Sequence, residues 1–153
     1  MITRELMHTD LTTVSPDTPL PDLLCTFDNG NSRLLYVVDT SGRLTGVITS
    51  FDLIKAMLPS YLDSNLAGAV AEDQVITAHE FAKLKAMTAR DIQITEFAAL
   101  KPEHSMLKAQ AIIREKGVNA LPVVDAAGRP VGEITRKEVL KFISHLCSSH
   151  TSK

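Results

Sequence analysis

Sliding the 153-residue sequence over itself by 86 positions lays residues 3–58 on residues 89–144 without a gap. Identities include Arg4/Arg90, Thr9/Thr95, Pro16/Pro102, Val37/Val123, Val38/Val124, Asp39/Asp125, Gly42/Gly128, Arg43/Arg129, Gly46/Gly132, Ile48/Ile134, Thr49/Thr135 and Lys55/Lys141. Conservative pairs such as Glu5/Asp91, Leu6/Ile92, Asp10/Glu96, Leu20/Met106 and Asp52/Glu138 lie between them. A repeat of this kind constrains the fold more than any single motif does. A unit of roughly 55 residues is marginal in burying its own apolar surface, so two copies are expected to pack face to face about a pseudo-twofold axis. Such an axis leaves two equivalent clefts.

The elements of each copy follow from local chemistry. In the first, residues 11–14 read as an extended piece stopped by Ser15-Pro16. Thr18 then caps a helix with Pro19 at its first position, where a missing N–H costs nothing. Leu20, Leu23, Leu24 and Phe27 recur at helical spacing and Gly30 ends the helix. Residues 34–38 are a short, continuous apolar run, the mark of a strand buried on both faces. Asp39-Thr40-Ser41-Gly42 is a turn, residues 44–49 pair back as a hairpin, and a helix over residues 50–58 ends before Pro59.

The second copy repeats the order: extended 97–100, a helix from Glu103 or His104 to Lys116 stopped by Gly117, a strand at 121–124, a turn at 125–128, a strand at 130–135 and a helix from Arg136 to about His145. The fold class is α/β (α+β), two β-α-β-β-α units. Residues 1–58 form repeat 1, 59–88 a helical linker with a pattern from His79 to Met87, 89–147 repeat 2, and 148–153 a flexible tail. Tyr61 begins a further apolar stretch in the linker, whose bland reading is a surface connection. A lid or dimer contact is the other.

The two copies share a constellation, L-L-Y-V-V-D-T-S-G-R-L-T-G-V-I-T-S-F-D in the first and A-L-P-V-V-D-A-A-G-R-P-V-G-E-I-T-R-K-E in the second. It resembles the CBS domain, the cystathionine-β-synthase-type regulatory repeat, and a tandem pair resembles a Bateman module. The resemblance implies an intracellular module that binds adenine nucleotides or related adenosyl compounds between its repeats, commonly as a homodimer of pairs. By motif position it implies Thr49 and Asp52 as phosphate and ribose contacts, with Thr12, Thr13 and Val14 and the strand start Leu34, Leu35 and Tyr36 enclosing the base. The matching second-copy residues are Thr135, Glu138, Ala98, Leu100, Ala120, Leu121 and Pro122.

Physical chemistry agrees with those residue types. A phosphate is held by backbone N–H groups, a hydroxyl and the positive end of a helix, all available at Thr49. An acid one turn on, Asp52, can accept from ribose hydroxyls, and Gly46 permits close backbone approach. Yet [ST]-x-x-[DE] at a helix start is also a capping box, in which hydroxyl and carboxylate serve only the helix. Glu138 is one methylene longer than Asp52, so it would overreach a ribose placed by the aspartate geometry, although Arg136 could add a bidentate phosphate contact.

Other classes are disfavoured. Sixteen basic against eighteen acidic residues, with no dense basic stripe, give no nucleic-acid footprint. The first ten residues carry two acids and a base, with no signal-peptide core, and no apolar run is long enough to span a bilayer, so the expectation is a cytoplasmic protein without membrane insertion. His8, His79, His104, His145 and His150 show no metal-ligand spacing, no catalytic set is apparent, and Lys83 and Lys85 read as a solvated helix face. Cys25 and Cys147 sit in apolar helical patterns and are expected to be buried thiols. The expected function is a stand-alone regulatory module, not an enzyme, with no required cofactor and an adenosine-containing ligand. The alternative is a ligand-free scaffold docking on a regulated enzyme or transporter.

Overall fold

Both copies fold around a hairpin whose corner is an aspartate. In the computed structural model, which describes residues 1–58, 63–69 and 78–151, Asp39 Oδ1 accepts from the Ser41 hydroxyl (2.7 Å), Ser41 N–H (2.9 Å) and Arg43 N–H (3.0 Å). Asp125 Oδ1 accepts from Ala127 and Arg129 N–H, both at 2.9 Å. The Ser41 hydroxyl holds the Asp39 carboxyl below the usual carboxylate range, and the Arg129 N–H does the same for Asp125. Gly42 (φ 84°) and Gly128 (φ 81°) close these turns in the left-handed region that side chains disfavour.

The first repeat contains β1 (Thr12–Val14), α2 (Leu20–Asn29), β2 (Leu35–Val38), β3 (Leu44–Ile48) and α3 (Ser50–Met57), preceded by a short α1 (Thr3–Leu6). Its sheet runs β1-β2-β3, the first pair parallel and the second antiparallel. After α4 (Ser64–Ala69) and α5 (Ala78–Ala86) in the linker come α6 (Ala89–Ile92), α7 (Met106–Lys116), β4 (Ala120–Val124), β5 (Pro130–Thr135) and α8 (Arg136–Thr151). The counterpart of β1 shrinks to one parallel bridge, Leu100 to Val123. Each repeat has its own core: Leu20, Leu23, Leu35, Val37, Ile48 and Leu53 in one, and Leu100, Met106, Leu121, Val123, Ile134 and Phe142 in the other.

The domain limits at residues 58 and 89 do not describe how these cores close, because the two repeats exchange their leading segments. Thr3 N–H donates to the His104 carbonyl (2.8 Å), Arg4 N–H to Pro102 (2.9 Å) and Met106 N–H to Met1 (3.0 Å); Leu6 and Met7 pack on the second core. The mirror set is Ala89 to Thr18, Arg90 to Pro16 and Leu20 to Met87, each at 2.9 Å, with Ala89 and Ile92 on the first core. Every one of these pairs maps onto its counterpart by the 86-residue offset with the copies interchanged, which is the signature of the pseudo-twofold axis.

The exchange explains where helix starts depart from expectation. Pro19, held extended by its bridge to Thr88, is itself the N-cap of α2, and Thr18 Oγ1 lies 3.2 Å from Ser15 Oγ instead of capping. Likewise α7 begins at Met106, capped by Ser105, because residues 102–106 carry α1.

At the other end, α8 continues through residues 148–151, set apart above as a tail; no Gly or Pro interrupts it, and Ser148, Ser149 and Thr151 hydroxyls bond carbonyls one turn back. Cys25 and Cys147 are exposed, not buried. Cys25 faces away from the Leu20/Leu23 stripe and Cys147 lies on the exposed last turns of α8. In the linker, Leu84 and Met87 pack on the first core while Lys83 and Lys85 face solvent. Tyr61 lies outside the described residues. Among those described, no helix is long and apolar enough to cross a membrane.

Gly46 and Gly132 make room for the exchanged segments. A Cβ at Gly46 would collide with the Gln93 side chain, 2.8 Å from its Cδ, and one at Gly132 would meet Met7 Cγ at 2.9 Å. The close approach expected of Gly46 is therefore to the other repeat's leading segment and not to a ligand. Gly46→Val is expected to cost about 1–3 kcal/mol of stability through overpacking, read from urea denaturation, whereas Gly68→Val, in α4 on open surface, should lose none, valine being the better helix former.

Candidate ligand-binding cleft

Strand β3 ends at Ile48 and α3 begins at Ser50, so Thr49 sits at the turn as N-cap with extended backbone (φ −96°, ψ 163°). Its hydroxyl accepts from Asp52 N–H (3.1 Å), while Asp52 Oδ2 accepts from Thr49 N–H (2.9 Å) and the Thr49 hydroxyl (2.8 Å). This is a complete capping box, with Asp52 only 8% exposed. The second copy builds a related junction: Glu138 Oε2 accepts from Thr135 N–H (2.7 Å) and from the Thr135 hydroxyl, whose oxygen accepts from Lys137 N–H (3.2 Å) where Thr49 takes the N–H of Asp52. The extra methylene of glutamate is absorbed by folding the side chain back onto the cap.

Thr49 and Ser50 form one end of a cavity of about 870 Å³ between the repeats. Of the residues named from sequence, Leu34, Thr49, Ala98, Ala120, Leu121 and Pro122 line it together. The cleft therefore joins the helix start of one copy to the strand start of the other. The expected grouping of Thr49 with Thr12, Thr13, Val14, Leu35 and Tyr36 does not occur at this cavity. Val14 and Leu35 belong to the first core and Leu100 to the second, Tyr36 is wholly buried, and β1 holds Thr12 and Thr13 against β2. The reason is the pseudo-twofold packing, which sets Leu34, Tyr36 and Val47 against Ala120 between the two sheets.

Thr135, Glu138 and Arg136 also lie away from this cavity's lining. Arg136 does not present its guanidinium for a phosphate: Nε donates to the Val118 carbonyl (3.1 Å) and Nη2 to Gly117 (3.0 Å). Those carbonyls follow the end of α7, where Gly117 is left-handed (φ 67°), and a cation there satisfies orphan acceptors. Gly117 and Val118 line the cavity, so Arg136 braces its wall.

Sequence reasoning missed several lining residues. Ile94, Glu96 and Phe97 arrive on the exchanged segment, and Lys116 to Asn119 at the end of α7 and the loop before β4; Phe27, Arg33, Val47 and Phe51 complete the first-repeat side. Phe51 is 64% exposed and carries the Lys55 ammonium 5.2 Å above its ring. The available signal was apolar Ile94, just ahead of the extended piece that begins at Phe97. The cavity thus combines apolar walls, a hydroxyl, a helix N-terminus and the ionisable groups Arg33, Lys116 and Glu96, a composition suited to a small ligand with a flat apolar part and an anionic part.

Residues 3–59 and 89–145 both match the CBS domain. The chain belongs to the CBS domain family. A CBS domain-containing protein of Dictyostelium discoideum is 28% identical over 145 residues, 94% of this chain and 91% of that protein. An uncharacterised protein of Methanocaldococcus jannaschii is 30% identical over 130 residues, 85% of this CBS pair but 26% of the archaeal protein, so the chain spans about a quarter of that relative's length. The crystal structure of CBSX2 in complex with AMP has a TM-score of 0.71 at 20% identity, covering 95% of this chain and 97% of CBSX2, a CBS-pair protein of Arabidopsis thaliana. At that identity the likeness is one of fold: a tandem CBS pair, or Bateman module, with mixed α/β architecture.

Proposed function

We propose that this CBS pair binds an adenosine-containing ligand of the AMP, ADP or ATP class in the cleft at Thr49, and signals occupancy by altering how the repeats pack. The observation that carries the reading is the roughly 870 Å³ cavity ending at Thr49 and the start of α3, a volume inside the usual range for small-molecule sites. Phosphate meets the α3 N-terminus and the Thr49 hydroxyl, whose proton turns from Asp52 to the ligand on binding, while the base lies among Leu34, Phe97, Ala98 and Pro122 and Asp52 keeps its bond from Thr49 N–H. The AMP bound to CBSX2 supports this ligand class. Because the cleft wall comes from both repeats, a ligand that binds one packing arrangement better shifts the pair toward it. Intracellular nucleotide pools make the cytoplasm its place of work.

Calorimetric titration with AMP, ADP and ATP is expected to yield heat for at least one of them, with a raised melting temperature. Thr49→Val should then weaken binding tenfold or more, about 1.4 kcal/mol. Thr135→Val is the control, since it loses the equivalent helix cap without touching the cleft. Absence of heat across the panel would sink the reading. The second reading, association with another copy or docking on a regulated enzyme or transporter, is favoured by exposed Phe51 and Ile54 on α3, Leu58 just after it and Leu140 on α8; it predicts co-purifying protein and no retained nucleotide.

A further inference from the structure

The 86-residue offset pairs the lining residues of the open cleft with residues of the other copy, and two of those pairs, Val47/Glu133 and Pro122/Tyr36, decide what fills the opposite face. Val47 and Pro122 line the open cleft beside Asn119 and Ala120. Their counterparts are Glu133 and Tyr36, beside Arg33 and Leu34. Glu133 is 0% exposed, as is Tyr36. The carboxylate accepts Arg33 N–H at Oε1 (2.8 Å), and Leu34 N–H (3.1 Å) and the Tyr36 hydroxyl (2.6 Å) at Oε2. Burial, reinforced by the Glu133 charge, pushes the Tyr36 hydroxyl far above the ordinary phenol range, so it remains a donor.

A carboxylate taken wholly out of water persists only where donors replace its hydration, and here three converge on it from residues 33–36 of the other repeat, at and just before the start of β2. The same edge is drawn in further by Thr12 N–H donating to the Ser32 hydroxyl (3.2 Å), which itself donates to the Leu34 carbonyl (2.6 Å). Backbone donors that a ligand acceptor would need are already used, and the space above them holds a phenol ring where the open cleft has proline.

We infer that Glu133, locked by Tyr36, is an internal occupant of the second cleft, so that each chain takes one ligand, at the Thr49 cleft, and not two. The ligand count rests on the function proposed above; the occupancy of the second cleft by Glu133 does not. Replacing Glu133 and Tyr36 by smaller groups therefore creates a second site from the chain's own repeat symmetry.

The test pairs binding with an exchange measurement that needs no nucleotide. Native mass spectrometry with ATP is expected to give one ligand per chain for the unmodified protein and a second for folded Glu133→Val/Tyr36→Ala. Two ligands on the unmodified protein, or still one on the folded double variant, overturns the inference. Residue-resolved amide exchange should show Arg33 and Leu34 protected, and in Glu133→Gln, which keeps size and one carbonyl acceptor, at least one of them should exchange about tenfold faster or more. Unchanged exchange at both overturns the inference, and this arm decides it if the double variant fails to fold. If another nucleotide of the panel binds in place of ATP, it replaces ATP in the mass measurement; if AMP, ADP and ATP all fail to bind the unmodified protein, the nucleotide reading fails while exchange alone decides whether Glu133 fills the cleft.

Discussion

A chain lacking residues 1–8 is expected to lose about 3 kcal/mol or more of stability, and to lose it from the repeat at the far end of the sequence. Leu6 and Met7 pack against Leu100, Met106 and their neighbours, not against the core of the repeat they precede. Burying a leucine or methionine side chain contributes about 1.5–3 kcal/mol, so two partly buried ones approach 3 kcal/mol together. Thr3 adds a fully buried residue whose N–H and hydroxyl both donate to the His104 carbonyl. Set against a total stability of about 5–15 kcal/mol for a domain, this is a large fraction. Amide exchange is the measurement: protection of β4, β5, α7 and α8 should fall while β1, β2 and β3 keep theirs. Loss confined to residues 12–57 would contradict the exchanged packing.

The second large effect comes from copying one cleft's contents into the other. Val47→Glu with Pro122→Tyr places at the open cleft the acid and phenol that fill its counterpart, and the new carboxylate would face the backbone of Asn119 and Ala120 as Glu133 faces Arg33 and Leu34. Nucleotide affinity is expected to fall at least about a hundredfold, roughly 2.7 kcal/mol, with the fold retained because the pattern is one the protein already tolerates. Calorimetry on the folded variant checks this. Undiminished affinity would mean the ligand does not enter between Val47 and Pro122.

How far the sequence discloses these features depends on the range of the interactions involved. The hairpins are legible because Asp39 and Asp125 act on residues two and four positions away, and Gly42 and Gly128 supply the positive φ within the same turns. The capping boxes at Thr49 and Thr135 are equally local. The exchange is not legible, because Thr3 meets its partner 101 residues away and nothing in the helical or strand periods names that partner. Without the exchange, the cleft is assembled only in part on paper: Thr49 is grouped with Leu34, which does share its cavity, but Ala98 and Pro122, which share it too, are assigned to the other site. The two mismatched pairs Val47/Glu133 and Tyr36/Pro122 are visible in the alignment of the copies. An acid at an apolar strand position separates the two clefts more sharply than the difference between Asp52 and Glu138, both of which fold back onto a helix cap.

The same exchange has a consequence during translation. The first repeat can be sealed only once Ala89 and Ile92 have left the ribosome, and the opening residues must wait for Pro102, His104 and Glu133 to be made. Synthesis at roughly 5–20 residues per second leaves Leu6 and Met7 uncovered for several seconds. Leu6 and Met7 thus stay without their apolar partners until the second hairpin, β4–β5, has emerged to take them in.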